Sequence, residues 1–358
     1  MIMEELLYKD YLEKEDIVRL LSLQGDEMKQ LFKRAMEVKL QYLDNKVHLR
    51  GLIEYSNRCM KSCLYCGVRG LNDKVHRYTL TDEEVLDCAR QALELHYGSI
   101  AIQSGERNDK AFTDKITELV REIKRLSDGK LGITLSLGEQ SQEVYRQWFE
   151  AGAHRYLLRI EASNEELYYK IHPNDERHDF HKRLACIDSL LKIGYQTGTG
   201  VMIGLPFQTV EDLADDLLFF RRKNVAMVGM GPFIPHQETP LWPYADQIPP
   251  ATERLNMTLK MIAVLRLMMP EINMVAATAD QTLDPMGREK AIMAGANVIM
   301  PNLTPMGHRE DYLIYPDKAC VGDKPEECFS CLDIRMKAIG HEILYDAWGD
   351  SVAFTKGR

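Results

Sequence analysis

From His48 onward, short β-rich runs alternate with amphipathic helical stretches, and the alternation repeats eight times. The runs fall at 49–55, 99–103, 133–137, 155–160, 197–203, 227–233, 273–277 and 297–300. Strands separated by helices of this length pair in parallel, with helices covering the outside of the sheet. Eight such units predict an α/β fold in which the sheet closes into a (β/α)8 TIM barrel, with a six-strand partial barrel as the rival. Two helix starts are explicit. Thr81-Asp82-Glu83-Glu84 reads as a capping box ahead of Val85, Leu86, Ala89, Ala92 and Leu93, and Thr209 with Asp212 begins another. Ahead of the barrel, residues 1–45 place Leu6, Leu7, Ile17, Leu20, Leu21, Met28, Leu31 and Phe32 at helical spacing, as a helical extension. The barrel is expected over 46–303, with a tail over 304–358 that carries the second cysteine group and crosses over or flanks the barrel mouth. A length of 358 residues suits this plan, since such barrels need about 250 residues plus extensions.

The eight cysteines are grouped: 59, 63 and 66 together, 320, 328 and 331 together, with Cys88 and Cys186 alone. Such triplets make a poor disulfide framework and in a reducing compartment read as metal sites. Cys88 and Cys186 lie on apolar helix faces and are expected to be buried as small hydrophobes. The first triplet, C-x3-C-x2-C, follows the first β-run directly, which puts it on a loop at the C-terminal mouth of the barrel. An iron–sulfur cubane normally takes four thiolates. This loop offers three, so one iron is left for a ligand that is not protein. A zinc site, the alternative, usually pairs C-x2-C with a distant partner pair.

The net charge of −9 argues against nucleic acid as the main partner. The chain has no apolar run long enough for a membrane span. The start, Met1-Ile2-Met3-Glu4-Glu5, is acidic where a secretory signal would be basic, so a cytoplasmic protein is expected.

Two further features gather at the expected mouth. Ser104-Gly105-Glu106 ends the second run. In the fourth, Arg155-Tyr156-Leu157-Leu158-Arg159-Ile160-Glu161, alternation puts Arg155, Arg159 and Glu161 on one face. Charge inside a barrel is costly without partners. A lumenal face would give an anion pocket with Glu161 free to bond a ribose; the plainer reading is an internal Arg–Glu pair. Arg183 opens the helix that follows. Lone histidines such as His236 and His308 are more often structural than ligands.

With Tyr65 before its last cysteine, the cysteine loop resembles the motif of the radical S-adenosylmethionine (SAM) superfamily. The resemblance implies a [4Fe-4S] cluster on Cys59, Cys63 and Cys66, with SAM chelating the open iron and cleaved reductively to a 5′-deoxyadenosyl radical. Further blocks narrow it: Arg50, Gln103-Ser104-Gly105-Glu106, Leu135-Ser136-Leu137-Gly138-Glu139, Leu157-Leu158-Arg159-Ile160-Glu161, Gly231-Pro232-Phe233-Ile234-Pro235-His236 and Gly295-Ala296-Asn297-Val298-Ile299-Met300-Pro301-Asn302. Together these resemble the HydE family of [FeFe]-hydrogenase maturases over about residues 45–335, within a group that includes biotin synthase and methylornithine synthase.

The resemblance implies cofactor contacts at Tyr65, Ser104, Glu106, Glu161, Arg183, Met227 and Tyr312. It implies a substrate or anion site around Arg50, Thr134, Ser136, Arg155, Arg159 and Thr278, and a possible second iron–sulfur cluster on Cys320, Cys328 and Cys331. Methylornithine synthase lacks this tail site, and biotin synthase builds its auxiliary cluster inside the barrel. The implied substrate is a small organometallic complex, an iron–cyanide–carbonyl–cysteine precursor of the H-cluster. The implied partners are HydG- and HydF-like maturases and an electron donor such as ferredoxin or flavodoxin. One block departs from the family pattern. Ala276-Ala277-Thr278-Ala279-Asp280 has Ala277 where a second threonine is expected, and Asp280 adds a charge. A radical SAM amino-acid mutase and a non-catalytic iron–sulfur carrier therefore stay open as alternatives.

Overall fold

The computed structural model describes residues 3–322 and 324–356, apart from the side chains of 326–329. Its eight barrel strands are β1 (Lys46–Ser56), β2 (Ser99–Ser104), β3 (Gly132–Ser136), β4 (Arg155–Leu157), β5 (Gln196–Thr199), β6 (Met227–Val228), β7 (Asn273–Met274) and β8 (Val298–Ile299). All pair in parallel, β8 lying beside β1. The sheet closes between β7 and β8 through the Val275–Val298 bridge, with backbone bonds of 3.0 Å from Asn297 to Met274 and 2.9 Å from Ala276 to Val298. The barrel therefore has eight strands, as the alternation predicts, and not six.

Most strands are shorter than their apolar runs. The fifth and sixth runs break and resume as the pair Met202–Ile203 and Gly231–Pro232. At the break Gly200 lies so close to Gly229 that an added Cβ would stand 1.9 Å from its carbonyl oxygen. Only glycine allows that approach.

Period-two alternation sorts the side chains. Leu49, Ile53, Ile133, Leu135, Tyr156 and Leu158 join the core between sheet and helices. Arg50, Thr134, Ser136 and Leu157 face a small cavity of about 20 Å3 inside the barrel. Both expected capping boxes form, at Thr81 with Glu84 and Thr209 with Asp212. Cys88 and Cys186 are buried in the outer core. Helices Met3–Leu7, Lys14–Leu21 and Gly25–Leu43 precede the barrel, and the last packs on the helix Ala251–Met268. No helix among the described residues is long and apolar enough to cross a membrane.

The tail visits both ends of the barrel. Residues 302–318 pass over the C-terminal mouth, where Lys318 pairs with Glu54 of β1. The chain then forms the helix Pro325–Ala338 and a short strand, β9 (Glu342–Leu344), beside the start of β1. Residues 346–351 close the opposite end. There Asp350 bonds Arg155 at 2.7 Å and Gln196 at 2.8 Å, and the Gly349 carbonyl accepts from Arg50 and Asn273. This floor was not foreseen from the sequence.

Candidate active site at the barrel mouth

The cysteine loop leaves the end of β1 and is held from every side. Met60 N–H bonds the Glu106 carbonyl at 2.9 Å, Leu64 N–H that of Ile171 at 3.0 Å, and Gly67 N–H that of Ile314 at 3.0 Å. Gly105 packs against the loop where a Cβ would stand 2.5 Å from the Arg58 carbonyl oxygen and 2.8 Å from Cys59 Cβ. Cys59, Cys63 and Cys66 are free and half-buried. The Glu106 N–H points at Cys59 Sγ from 3.3 Å.

Burial pushes all three thiols up, and the neighbouring thiols push Cys63 and Cys66 further; Cys66 is pushed up to about 12. Thiolates in such a setting need added positive charge beside them. Among the described residues no three potential ligands converge tightly enough for a single metal ion. Three thiols on one short loop match the thiolate donor set of an iron–sulfur cluster core.

Behind the loop lies a buried ionic network. Lys61 bonds Glu139 at 2.9 Å and Glu106 at 3.2 Å, and Arg183 bonds Glu139 at 2.5 Å and reaches Glu106 at 3.8 Å. Arg183 also donates to the Arg159 carbonyl at 2.8 Å. Burial raises the Glu106 carboxyl despite Arg183 and Lys61, whereas at Glu139 the two cations outweigh burial and lower it.

Glu161 has a left-handed backbone, φ +68, which costs a non-glycine residue energy and marks functional sites. Its carboxylate pairs with Arg159 at 2.9 Å. Tyr65 packs edge-on to His172, its hydroxyl 3.4 Å from the ring. Ser104 turns its hydroxyl to the Gly105 carbonyl at 2.5 Å. Tyr312, on the tail itself, is buried, and its hydroxyl accepts from Gln103 at 3.3 Å.

Deeper in the lumen, Arg50 and Met227 meet at 2.9 Å and share the cavity wall with Thr134 and Ser136. Arg155 is fully buried and turned to the floor, bonding Thr134 at 3.0 Å and the Trp348 carbonyl at 2.7 Å besides Asp350. Of the two strand-four arginines, Arg159 pairs with Glu161 while Arg155 pairs with Asp350 of the floor.

Thr278 stands apart from these groups. It opens the helix Thr278–Leu283, and its hydroxyl accepts from Arg288 at 2.8 Å. The unexpected Asp280 has a structural task, since its carboxylate caps that helix by accepting from Ala277 N–H at 2.9 Å. Cys320 lies beside the same helix, 3.7 Å from Gln281 and from Arg288. Cys331 is exposed, and the side chain of Cys328 lies outside the described residues.

Comparison with known proteins agrees with this geometry. The Radical SAM superfamily model matches residues 53–220, which span the cysteine loop, Glu106, Glu161 and Arg183. The Biotin and Thiamin Synthesis associated domain model matches residues 232–322. The [FeFe] hydrogenase maturase subunit HydE of Thermotoga maritima is 44% identical over 322 residues, 89% of this chain and 88% of the relative. The chain belongs to the HydE family of radical SAM enzymes.

The 3-methylornithine synthase of Methanosarcina acetivorans is more distant, at 27% identity over 83% of this chain and 81% of its own. Among solved structures, methylornithine synthase PylB superposes with a TM-score of 0.79 at 23% identity, covering 96% of this chain and 97% of PylB. The maturase HydG superposes at 0.80 with 21% identity, covering 99% of this chain and 77% of HydG. Both share the barrel fold.

Sequence reasoning passed over Lys61, Glu54, Lys318 and Asp350, and quoted Glu139 without a role. Lys61 was within reach, because a lysine inside a cysteine motif must put its charge somewhere. Lys318 and Asp350 have no sequence signal, since only the fold of the tail brings them to Glu54 and Arg155.

Proposed function

We propose that this HydE-family chain cleaves SAM at Cys59, Cys63 and Cys66 and turns the resulting radical on an iron–cyanide–carbonyl–cysteine precursor of the [FeFe]-hydrogenase H-cluster. One observation carries the reading: three free, desolvated thiols at the top of a barrel whose interior holds a cavity walled by Arg50, Thr134, Ser136 and Met227. When bound, a [4Fe-4S] cluster and SAM supply one-electron cleavage to a 5′-deoxyadenosyl radical.

The chain's own residues orient and enclose. Glu106 stands next to the loop to take the cofactor's ammonium group, while Lys61 and Arg183 keep its charge balanced. Glu161 faces the mouth for the ribose once Arg159 releases it. Ser104, Met227, Tyr65 and Tyr312 surround the same space. Below, Arg50 keeps Nε unbonded inside the barrel, a donor for an anionic substrate, with Thr134 and Ser136 beside it. The floor and the tail enclose the space, which limits side reactions of a reactive intermediate.

Arg159 and Thr278 belong to this reading as outer members of the substrate site. HydG- and HydF-like partners, a ferredoxin or flavodoxin donor and a second iron–sulfur centre on the tail cysteines also belong to it. Free cysteines throughout the described chain support a reducing, cytoplasmic setting. Anaerobic, iron-reconstituted protein given dithionite and SAM should release 5′-deoxyadenosine, and Cys63→Ala should not. Hydrogenase activation in a mixture lacking only this component should be restored by the wild-type chain. Cleavage without restoration would discard the maturase assignment and leave the mutase.

A further inference from the structure

We infer that Arg77 is a positioning residue for the cluster: it clamps both ends of the cysteine loop and holds a positive charge at the carbonyls that flank it. The inference rests on the proposal that Cys59, Cys63 and Cys66 hold the cluster.

The guanidinium donates to four backbone carbonyls. Asn57 accepts at 2.6 Å, two residues before the first cysteine. Val68 at 2.8 Å, Arg69 at 2.6 Å and Asn72 at 2.9 Å accept on the far side of the last. A single side chain therefore ties the entry of the loop to its exit. Both ends are anchored in turn. Asn57 bonds the carbonyls of His76 and Asp311 at 2.7 Å each, and Asn72 bonds that of Gly67 at 2.6 Å. The planar fork of arginine matches several acceptors at fixed angles, and a lysine point charge does not. No carboxylate pairs with Arg77 among the described contacts, and its charge lies within electrostatic reach of Cys59 and Cys66.

Two consequences separate clamp from charge. Loss of the fork loosens the loop, so iron leaves faster. Loss of the charge removes a cation that favours the reduced, more negative cluster, so the potential falls. A purely structural arginine would leave the potential of the retained cluster unmoved.

The test uses full-length reconstituted protein, the variants Arg77→Lys and Arg77→Gln, iron release to a chelator, and a potentiometric titration followed by electron paramagnetic resonance. Both variants should release iron about tenfold faster or more, as expected for loss of a charge-assisted hydrogen bond. Arg77→Gln should shift the midpoint potential to more negative values, while Arg77→Lys stays near wild type. If Arg77→Gln does not fold, Arg77→Lys alone must show faster release at an unchanged potential. Iron release as slow as wild type in Arg77→Lys overturns the clamp, and an unshifted potential in a folded Arg77→Gln overturns the charge. Absence of any cluster from the wild-type protein would instead defeat the underlying proposal.

Discussion

Replacing Asp350 with alanine strips the carboxylate that faces Arg155 on the barrel floor. Arg155 has no exposure to solvent, and the Asp350 side chain keeps only 25% of its own. Burial alone works against both charges. It pulls the arginine down to about 10, while a hydrogen bond from His154 and the charge of Arg155 hold the aspartate well below the usual carboxylate range. Removing one member of a buried pair leaves the other uncompensated and costs about 3–5 kcal/mol. With about 2.1 cal/mol/K of unfolding entropy per residue over 358 residues, melting should fall by about 4–7 °C at pH 7.

The dependence on pH follows from the sign of the shift. A carboxyl lowered in the native state stabilises fully above its unfolded value of about 3.9 and loses that contribution as pH falls toward the native one. The gap between wild type and Asp350→Ala should therefore be full at neutral pH and narrow in acid. Circular-dichroism melts across this range measure it. Asp346→Ala is the control, because its exposed pair with His96 should contribute almost nothing. Equal melting of Asp350→Ala and wild type at pH 7 would refute the reasoning.

Three further outcomes are expected. Glu139→Gln removes the carboxylate shared by Lys61 and Arg183 and lets both cations capture Glu106, so SAM should bind about tenfold more weakly by calorimetry; unchanged affinity would mean that Glu139 only supports the fold. Gly105→Ala drives a methyl into the Arg58 carbonyl and Cys59, so iron bound per chain should drop while far-ultraviolet dichroism stays native; full loading would show that the loop gives way freely. Burial raises Asp216 to about 7, so the unfolded chain ionises it first and stability falls progressively between pH 4 and 7, by about 4 kcal/mol in all. Asp216→Asn should accordingly outlast wild type in melts at pH 8 and match it below pH 4, and parallel pH profiles would contradict this.

The barrel was legible because its signal is local. Alternating runs such as Ile133–Leu135 against Thr134–Ser136 encode which face is lumen, and Thr81 and Thr209 announce their helices through contacts three residues away. The cysteine loop was legible for the same reason, with all three cysteines inside eight residues. What stayed hidden is long-range. Nothing near Asp350 says that it meets Arg155 across 195 positions, nor near Lys318 that it meets Glu54 across 264. The task of Asp280 stayed hidden because sequence shows the added charge and not the helix that the carboxylate caps.

The closed floor also governs traffic. With one end stoppered by 346–351, the described residues leave a guest in the chamber the C-terminal mouth as its way in and out, past the SAM site proposed above. On that proposal the inner reactant arrives first and the nucleoside sulfonium second, with departures in reverse. Product-inhibition kinetics should accordingly be ordered, and a random pattern would mean that the chamber has a second opening.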